Sequence, residues 1–511
     1  MKCNYCSIIP HISLCALLPL LLFAQVERWV YAYNGTNNTD DEAYVVAYGD
    51  DGNIYAAGYS TGDGTNQDFT VISLTPAGNE RWVYIYNGQV SQSDIAYDLV
   101  YGHDGNIYVV GTSTNITDTD ITIISITADG IERWVYTYNG PLGQEDEAFS
   151  IVYGSDHNIY AAGRSRGIGT EYDFTIVSVD TAGSERWIYR YDRDNWNDGA
   201  NSVVYGLDDN IYAAGYTYHW IPTQEFAIFS VDTAGTQRWI KNITGCGSSN
   251  ETALSIICGS DTNLYIVGRS NVMSYTVSSI DTIGTWRWMH WYGQLGQNNA
   301  TQDVVQGQDR NTYSVGHLHM GTHYDFVVSA HNTAGDSLWM VMYDGPSQNH
   351  DVGYSLDFGD NSSVYAAGWS NGLGSGEDFV VIDVDTTGSL RWVYRFNGSA
   401  NSSDRAYSVV YGEDDNVYAA GCCFDSTTNL DFLVISLDTT TTCVAEDERQ
   451  VISNNDLLFP TYITGSLVLP EDQNCKIFDI TGCQIHTLNP APGIYFIEVN
   501  GKIAQKVIKV K

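Results

Sequence analysis

Eight copies of one short segment set the limits on what this chain can fold into. It occurs first as Asn53-Ile-Tyr-Ala-Ala-Gly58 and returns at Asn106, Asn158, Asn210, Asn263, Asn311, Ser363 and Asn416. A tryptophan keeps the same beat. Trp29, Trp82, Trp134, Trp187, Trp239, Trp288, Trp339 and Trp392 follow one another at intervals of 49 to 53 residues. A repeat of this length is one supersecondary unit, and it must stack on its neighbours to bury its faces.

Between tryptophans the order is constant. Segment A is typified by Glu42-Ala-Tyr-Val-Val-Ala-Tyr-Gly49, and an Asp-Gly turn leads to segment B, Asn53 to Gly58. A variable loop leads to segment C, Asp68-Phe-Thr-Val-Ile-Ser-Leu74, and a short turn to segment D, Arg81-Trp-Val-Tyr-Ile-Tyr86. Each is short, β-branched and aromatic, and bounded by Gly, Asn or Asp, which are strand and hairpin signals. Several are apolar on both alternating faces, so both faces need cover. Four-stranded sheets stacked around an axis supply it.

The phase follows from reach. Crossing from the outer to the inner strand of a blade spans about 14 Å, three gaps of ~4.8 Å. The C-to-D turn is too tight for that, whereas the D-to-A loop has the length. A is therefore innermost and D outermost. The chain then opens with an orphan D strand, Arg28 to Tyr33, and its last A-B-C trio, Asp404 to Leu437, lacks a D strand. The orphan fills the vacancy, and the expected fold is all-β, an eight-bladed propeller closed by the N-terminal strand over 25–443. Closure removes the edges that invite aggregation.

Composition agrees. Only 16% of the 511 residues are charged, 13% are aromatic, and Gly numbers 49 against 10 Pro. The formal net charge of -38 argues against nucleic acid or anionic lipid as a main partner. At the N-terminus Lys2 precedes an apolar run from Leu14 to Ala24, which reads as a signal peptide over 1–24 cut after Ala24. The run is too short to span a bilayer as a helix, and no later segment is apolar enough. Cys3 and Cys6 have C-x-x-C spacing but fall inside that leader. Cys246 with Cys258, and Cys475 with Cys483, are near enough in sequence to pair, which spacing alone does not prove.

The region 29–437 resembles the bacterial secreted β-propeller repeat families through its Gly-Asn-x-Tyr-Ala-Ala-Gly and Asp-Phe-x-Val-x-Ser segments and its outer tryptophans. In layout it is also similar to quinoprotein-type and WD-type propellers, although it lacks a Trp-Asp dipeptide. The resemblance implies fold far more than function.

Composition shifts after Cys443. A polar linker, 444–455, precedes a small β domain, 456–511, expected to be sandwich-like, with strands over Thr461 to Leu469, Cys475 to Ile480, Gly493 to Val499 and Ile503 to Val510. Its segments Lys476-Ile-Phe-Asp-Ile-Thr-Gly-Cys483, Pro492-Gly-Ile-Tyr-Phe-Ile497 and Lys506-Val-Ile-Lys-Val-Lys511 resemble the C-terminal sorting domain of type IX secretion cargo. The chain departs from that family in carrying Phe459-Pro-Thr461 where the family opens with a Pro-Asn-Pro turn. The resemblance implies the outer-membrane secretion machinery as a partner and a secreted or cell-surface destination.

Catalytic signals are thin. Ser60, Ser165 and Ser370 lie in G-x-S-x-G matches, but a nucleophile elbow needs a following helix and these run between strands. No P-loop, H-E-x-x-H or dinucleotide fingerprint appears, so no cofactor is assigned. Aspartates recur at the start of A (Asp41, Asp94, Asp146, Asp198, Asp351, Asp404) and of C (Asp68, Asp120, Asp173, Asp325, Asp378, Asp431). Once per blade, such an Asp reads as a loop clamp before it reads as a cation or sugar site. The Asp-Thr turns at Asp180, Asp232, Asp281, Asp385 and Asp438 match a D-[S/T] O-glycosylation pattern but read first as hairpin turns.

Symmetry breaks in blades four to six. His219-Trp-Ile-Pro222 makes one unusual loop, and His317, His319 and His323 crowd another with Met320. These three histidines are the nearest approach to a metal-ligand set, but the full set and spacing rule of a structural site are missing, and no metal is assigned. Trp286, His290 and Trp291 mark the same side for a glycan. The sequence thus predicts a non-enzymatic binding or structural module with an extracellular glycan or protein ligand. The alternative is a glycan-active or quinoprotein-like enzyme with its site on the loop-rich face.

Overall fold

The computed structural model describes residues 26–439 except 63–64, 220–222, 244–250, 271–273 and 294–298, and beyond them only the strands of the C-terminal segment. The leader, the linker and one cysteine of each suggested pair, Cys246 and Cys483, lie outside the described residues. All regular structure among the described residues is β, in eight four-stranded antiparallel sheets and one five-stranded sheet. Blade one runs Glu42–Tyr48 (A), Ile54–Thr61 (B), Gln67–Leu74 (C) and Glu80–Tyr86 (D), bonded in that order. Blades two to seven repeat it.

The eighth blade joins the two ends of the domain. Val26–Tyr33 lies antiparallel to Asn429–Asp438, in register from Val26 opposite Asp438 to Tyr33 opposite Phe432. The A strands of neighbouring blades touch all round, including Glu42–Tyr48 against Arg405–Tyr411, so A is innermost and the ring is shut. The predicted eight-bladed propeller and its N-terminal closure are what is observed.

Three repeated devices hold blade to blade. The B and C strands are buried on both faces, and the B-strand tyrosines (Tyr55 and its seven equivalents) are fully enclosed. Outside, seven D-strand tryptophans each donate Nε1–H to a carbonyl in the next blade's C–D turn, as Trp29 to Pro76 at 3.0 Å and Trp339 to Thr386 at 2.9 Å. Around the channel, A-strand side chains accept the next blade's backbone N–H. Ser150 takes Val203, Ser355 takes Val409, and Ser408 takes Val46, closing the circuit across the chain ends. Asp98 and Asp303 do the same for Ile151 and Leu356.

Within a blade, Arg81 donates to Ser73 Oγ at 2.9 Å and to Tyr55 OH at 3.1 Å, while Tyr55 donates to Asp51 at 2.7 Å. The network recurs in blade eight, where Arg28 from the first strand bonds Ser436 and Tyr418. This explains why Arg precedes the tryptophan in most repeats.

In the C-terminal segment the described strands form one sheet, with Pro460–Ile463 parallel to Lys502–Lys509, which is followed by Gly493–Val499, Cys475–Asp479 and Gln484–Ile485. A second, facing layer and residues 464–469 lie outside the described residues.

Candidate functional site

Each A strand carries one β-bulge, and the bulges build the mouth of the channel. In blade one Ala43 pairs with Gly58 and Val45 with Ala57, so Tyr44 is the extra residue. Its equivalents are Tyr97, Phe149, Asn201, Leu254, Gln302, Tyr354 and Tyr407. The facing glycine is what permits the bulge. A Cβ on Gly58 would lie 1.9 Å from the Glu42 carbonyl oxygen, and one on Gly163 would lie 1.9 Å from that of Glu147. The small end of the B strand therefore serves close approach inside one blade.

Five consecutive bulge residues are aromatic and touch in a chain. Tyr354 meets Tyr407, Tyr407 meets Tyr44, Tyr44 meets Tyr97, and Tyr97 meets Phe149, with ring centroids 5.5 to 6.1 Å apart. In blades four, five and six the same position holds Asn201, Leu254 and Gln302, and the arc stops. A cavity of about 380 Å³ opens there, bounded by Phe149, Asn201 and Leu254 of the bulges and by the B-strand ends Arg164, Tyr216, Tyr218 and Arg269. Tyr172, Asn197, Gln224 and Thr252 complete its rim. A bulge re-aims one side chain per strand, and here the re-aimed residues decide where the wall is open.

The cavity's polar groups are unequal. Arg164 Nε donates to Glu147 at 2.6 Å, and its guanidinium lies 4.3 Å from the centre of the Tyr172 ring, so its charge is already met. Arg269 is exposed and makes no ion pair among the described residues. Asn201 Nδ2 donates to Ala253 O at 2.7 Å, and Tyr218 OH donates to Gln224 Oε1 at 3.0 Å. Burial and the hydrogen bond to Glu145 push the Tyr172 hydroxyl up to about 12, so it stays a neutral donor. Aromatic rims, amides and one available guanidinium can stack on a ring and hydrogen-bond its substituents.

The aspartate rows separate into two kinds. All six at the A starts are fully buried. Asp41 accepts from Gly35 N and Thr61 N, both at 2.7 Å, and Asp404 accepts from Gly398 N at 2.7 Å and Phe424 N at 2.8 Å. Five of the six tie a D–A loop to the end of a B strand in this way, which is the clamp reading, while Asp351 accepts a backbone N–H only from Gly345, at 2.8 Å, among the described residues. At the Asp-Thr turns, Asp180 Oδ1 accepts from Ala182 N and Ser184 N at 2.9 Å, which accounts for that motif as hairpin chemistry.

The other candidates are placed as follows. Ser60 Oγ lies 2.7 Å from Thr70 Oγ1, and Ser370 Oγ accepts from Arg395 at 2.7 Å, both in B strands with a further strand beyond. His317 and His319 share one side of the blade-six B strand, edge-on to the Tyr324 ring at 5.1 and 5.2 Å. His323 is not with them, and its Nε2 faces Asp325 Oδ1 at 3.2 Å and Asp344 Oδ1 at 3.7 Å. Trp286, His290 and Trp291 belong to the D strand Trp286–Tyr292, where His290 stacks on His331 at 5.3 Å. They are therefore on the outer strand and away from the loop-rich mouth, a correction to the glycan reading of that trio. Residues 220–222 of the unusual blade-four loop lie outside the described residues. Sequence reasoning missed the bulge residues, because they interrupt the alternation by which strand faces are read.

No family model matches the chain, and no curated protein matches it. Among solved structures, Sqt1 from Chaetomium thermophilum is similar at 9% identity and a TM-score of 0.52, over 81% of this chain and 99% of that one. A eukaryotic initiation factor aligns at 9% identity and a TM-score of 0.37 over 72% of this chain and 95% of that one. The extracellular domains 1-2 of Drosophila Semaphorin 1b align at 8% identity and a TM-score of 0.38 over 67% and 85%. At 9% identity the first likeness bears on fold alone, and the fold is an eight-bladed β-propeller.

Proposed function

We propose that the protein is a secreted or cell-surface propeller that works as a binding module, and that it holds a saccharide in the cavity between blades three, four and five. The observation that carries this is the break in the aromatic arc. The wall of the mouth changes from contiguous rings to Asn201 and Leu254 at the place where Arg269 stands without an ion-pair partner among the described residues. Rings, amides and a guanidinium suit a sugar with one carboxylate or several hydroxyls. The net charge of -38 works against polysulfated chains, which the long-range field repels. Export rests on the leader ending at Ala24 and on the C-terminal segment's likeness to type IX sorting domains.

A glycan array probed with the full chain, with and without Ca²⁺, tests the reading. The expected result is retention of neutral or singly carboxylated glycans, lost in Arg269→Ala. Turnover of a polysaccharide without retention of any glycan contradicts it. Intact mass of the exported protein tests the leader, and the expected first residue is Gln25.

A further inference from the structure

Blade six departs from the other blades at the carboxylate that opens its C strand. In six blades that residue is an aspartate whose Oδ1 is buried and accepts no hydrogen bond: Asp68, Asp120, Asp173, Asp325, Asp378 and Asp431. The other oxygen is met in one of two ways. In blades three and seven an arginine reaches it, Arg190 to Asp173 at 2.6 Å and Arg395 to Asp378 at 2.7 Å. In blades one, two and eight Thr65, Asn115 and Thr428 donate to it at 2.9, 2.7 and 3.0 Å.

Blade six has neither arrangement. Its strand register puts Met342 opposite Val327, where the other two blades have Arg190 opposite Thr175 and Arg395 opposite Val380. The fixed cation is gone, and a second carboxylate comes in. Asp344, just past the D strand, and His323, from the B–C loop, meet Asp325 with ligand atoms all within 4.8 Å of one another, the only such group among the described residues. Asp325 is 7% exposed, and its Oδ1, the atom without a hydrogen bond, is the atom aimed into the group.

The geometry is that of a coordination shell. His323 Nδ1 lies 3.0 Å from Thr322 Oγ1, which holds the ring with Nε2 toward both carboxylates. A ligating imidazole is oriented in this way through its other nitrogen. Two ligands bonded at ~2.1 Å to one ion lie about 3.0 Å apart as octahedral neighbours and about 3.4 Å apart in a tetrahedron. The separations from His323 Nε2, 3.2 Å to Asp325 and 3.7 Å to Asp344, are within a few tenths of an ångström of those edges, and the two carboxylates lie within 4.8 Å of each other.

We propose that His323, Asp325 and Asp344 bind a divalent transition-metal ion at the loop-rich face of blade six, with zinc the best fit. An imidazole in the set favours zinc over calcium, which takes oxygen ligands. The two carboxylates balance the ion's charge, and Asp344, with its side chain 39% exposed, leaves the outer side of the ion open to water or to a ligand group.

Isothermal titration of the untagged full chain with Zn²⁺, and with Ca²⁺ as control, tests this. The expected result is one Zn²⁺ site per chain, weakened about tenfold or more in His323→Ala and Asp344→Asn. Met342→Arg supplies the guanidinium of blades three and seven, so it should weaken Zn²⁺ binding equally while the melting temperature stays at the wild-type value. Met342 and Asp344 are both exposed, so these two variants carry the test if His323→Ala fails to fold. No Zn²⁺ binding overturns the proposal, and so does an affinity that all three variants leave unchanged. A preference for Ca²⁺ overturns it too. Absence of metal binding together with a pH-dependent contact at His323 would show an ion pair only.

Discussion

Single residues in this protein are fixed by how closely two backbones approach. Gly163 stands where a Cβ would sit 1.9 Å from the Glu147 carbonyl oxygen, and no side chain can move to relieve that contact. Gly163→Ala should therefore cost about 3 kcal/mol or block folding, read by urea denaturation of the purified chain. The A–B turns hold the opposite case. Gly52 and Gly105 have φ of 75°, and at the same place Thr262 is held at φ 62° with its side chain exposed. Thr262→Gly should stabilise by roughly 0.5–1 kcal/mol, visible as a higher urea midpoint. That a glycine ends every B segment is plain in the sequence; the carbonyl that demands it is not, because it belongs to a strand some 16 residues earlier at a bulge. The same bulge hides Tyr44, Asn201 and their equivalents, since a reader counting alternate faces assumes an unbroken ladder.

Strands that close the ring act as elements and not through any one side chain. Val26–Tyr33 pairs along its length with Asn429–Asp438, and Arg28 bonds Ser436 and Tyr418 of the last blade. A chain lacking residues 26–33 exposes the edge of that C strand, so it should melt roughly 10 °C lower and self-associate. Calorimetry and light scattering measure both. This closure was legible because it is a matter of counting, eight trios against eight D strands with one set out of phase. The loop contents were less so. The B–C loop of blade six shows its histidines openly, yet Asp344 comes from beyond the next two strands, and only the folded sheet brings it to His323 while leaving His317 and His319 against Tyr324.

As a whole, the molecule carries its negative charge partly on buried carboxyls. Burial pushes Asp41, Asp146 and Asp404 up to about 6 and Asp198 up to about 8, outweighing the backbone N–H bonds that each accepts. Their folded values lie above the ordinary aspartate value, so the folded state binds more protons between roughly pH 4 and 8. The stability they contribute is present at low pH and is lost as pH rises through 6 to 8. The melting temperature should accordingly be higher at pH 5 than at pH 8, and relief of self-repulsion at a net charge of -38 works in the same direction. A scan across that range by differential calorimetry checks the sign. The repeat and the acidic balance were both visible in the residues alone, whereas the position of the cavity depended on which three blades lack a ring at the bulge.

That dependence gives the most direct test. Asn201→Tyr extends the arc of rings from blade three into blade four and fills the opening beside Arg269. Titration of wild type and Asn201→Tyr with the glycan best retained on the array, followed by calorimetry, should show binding in the wild type and at least about a tenfold loss in the variant. The two melting temperatures should agree. Equal affinity in both proteins, with the variant folded, would place the ligand elsewhere on the propeller and contradict the account.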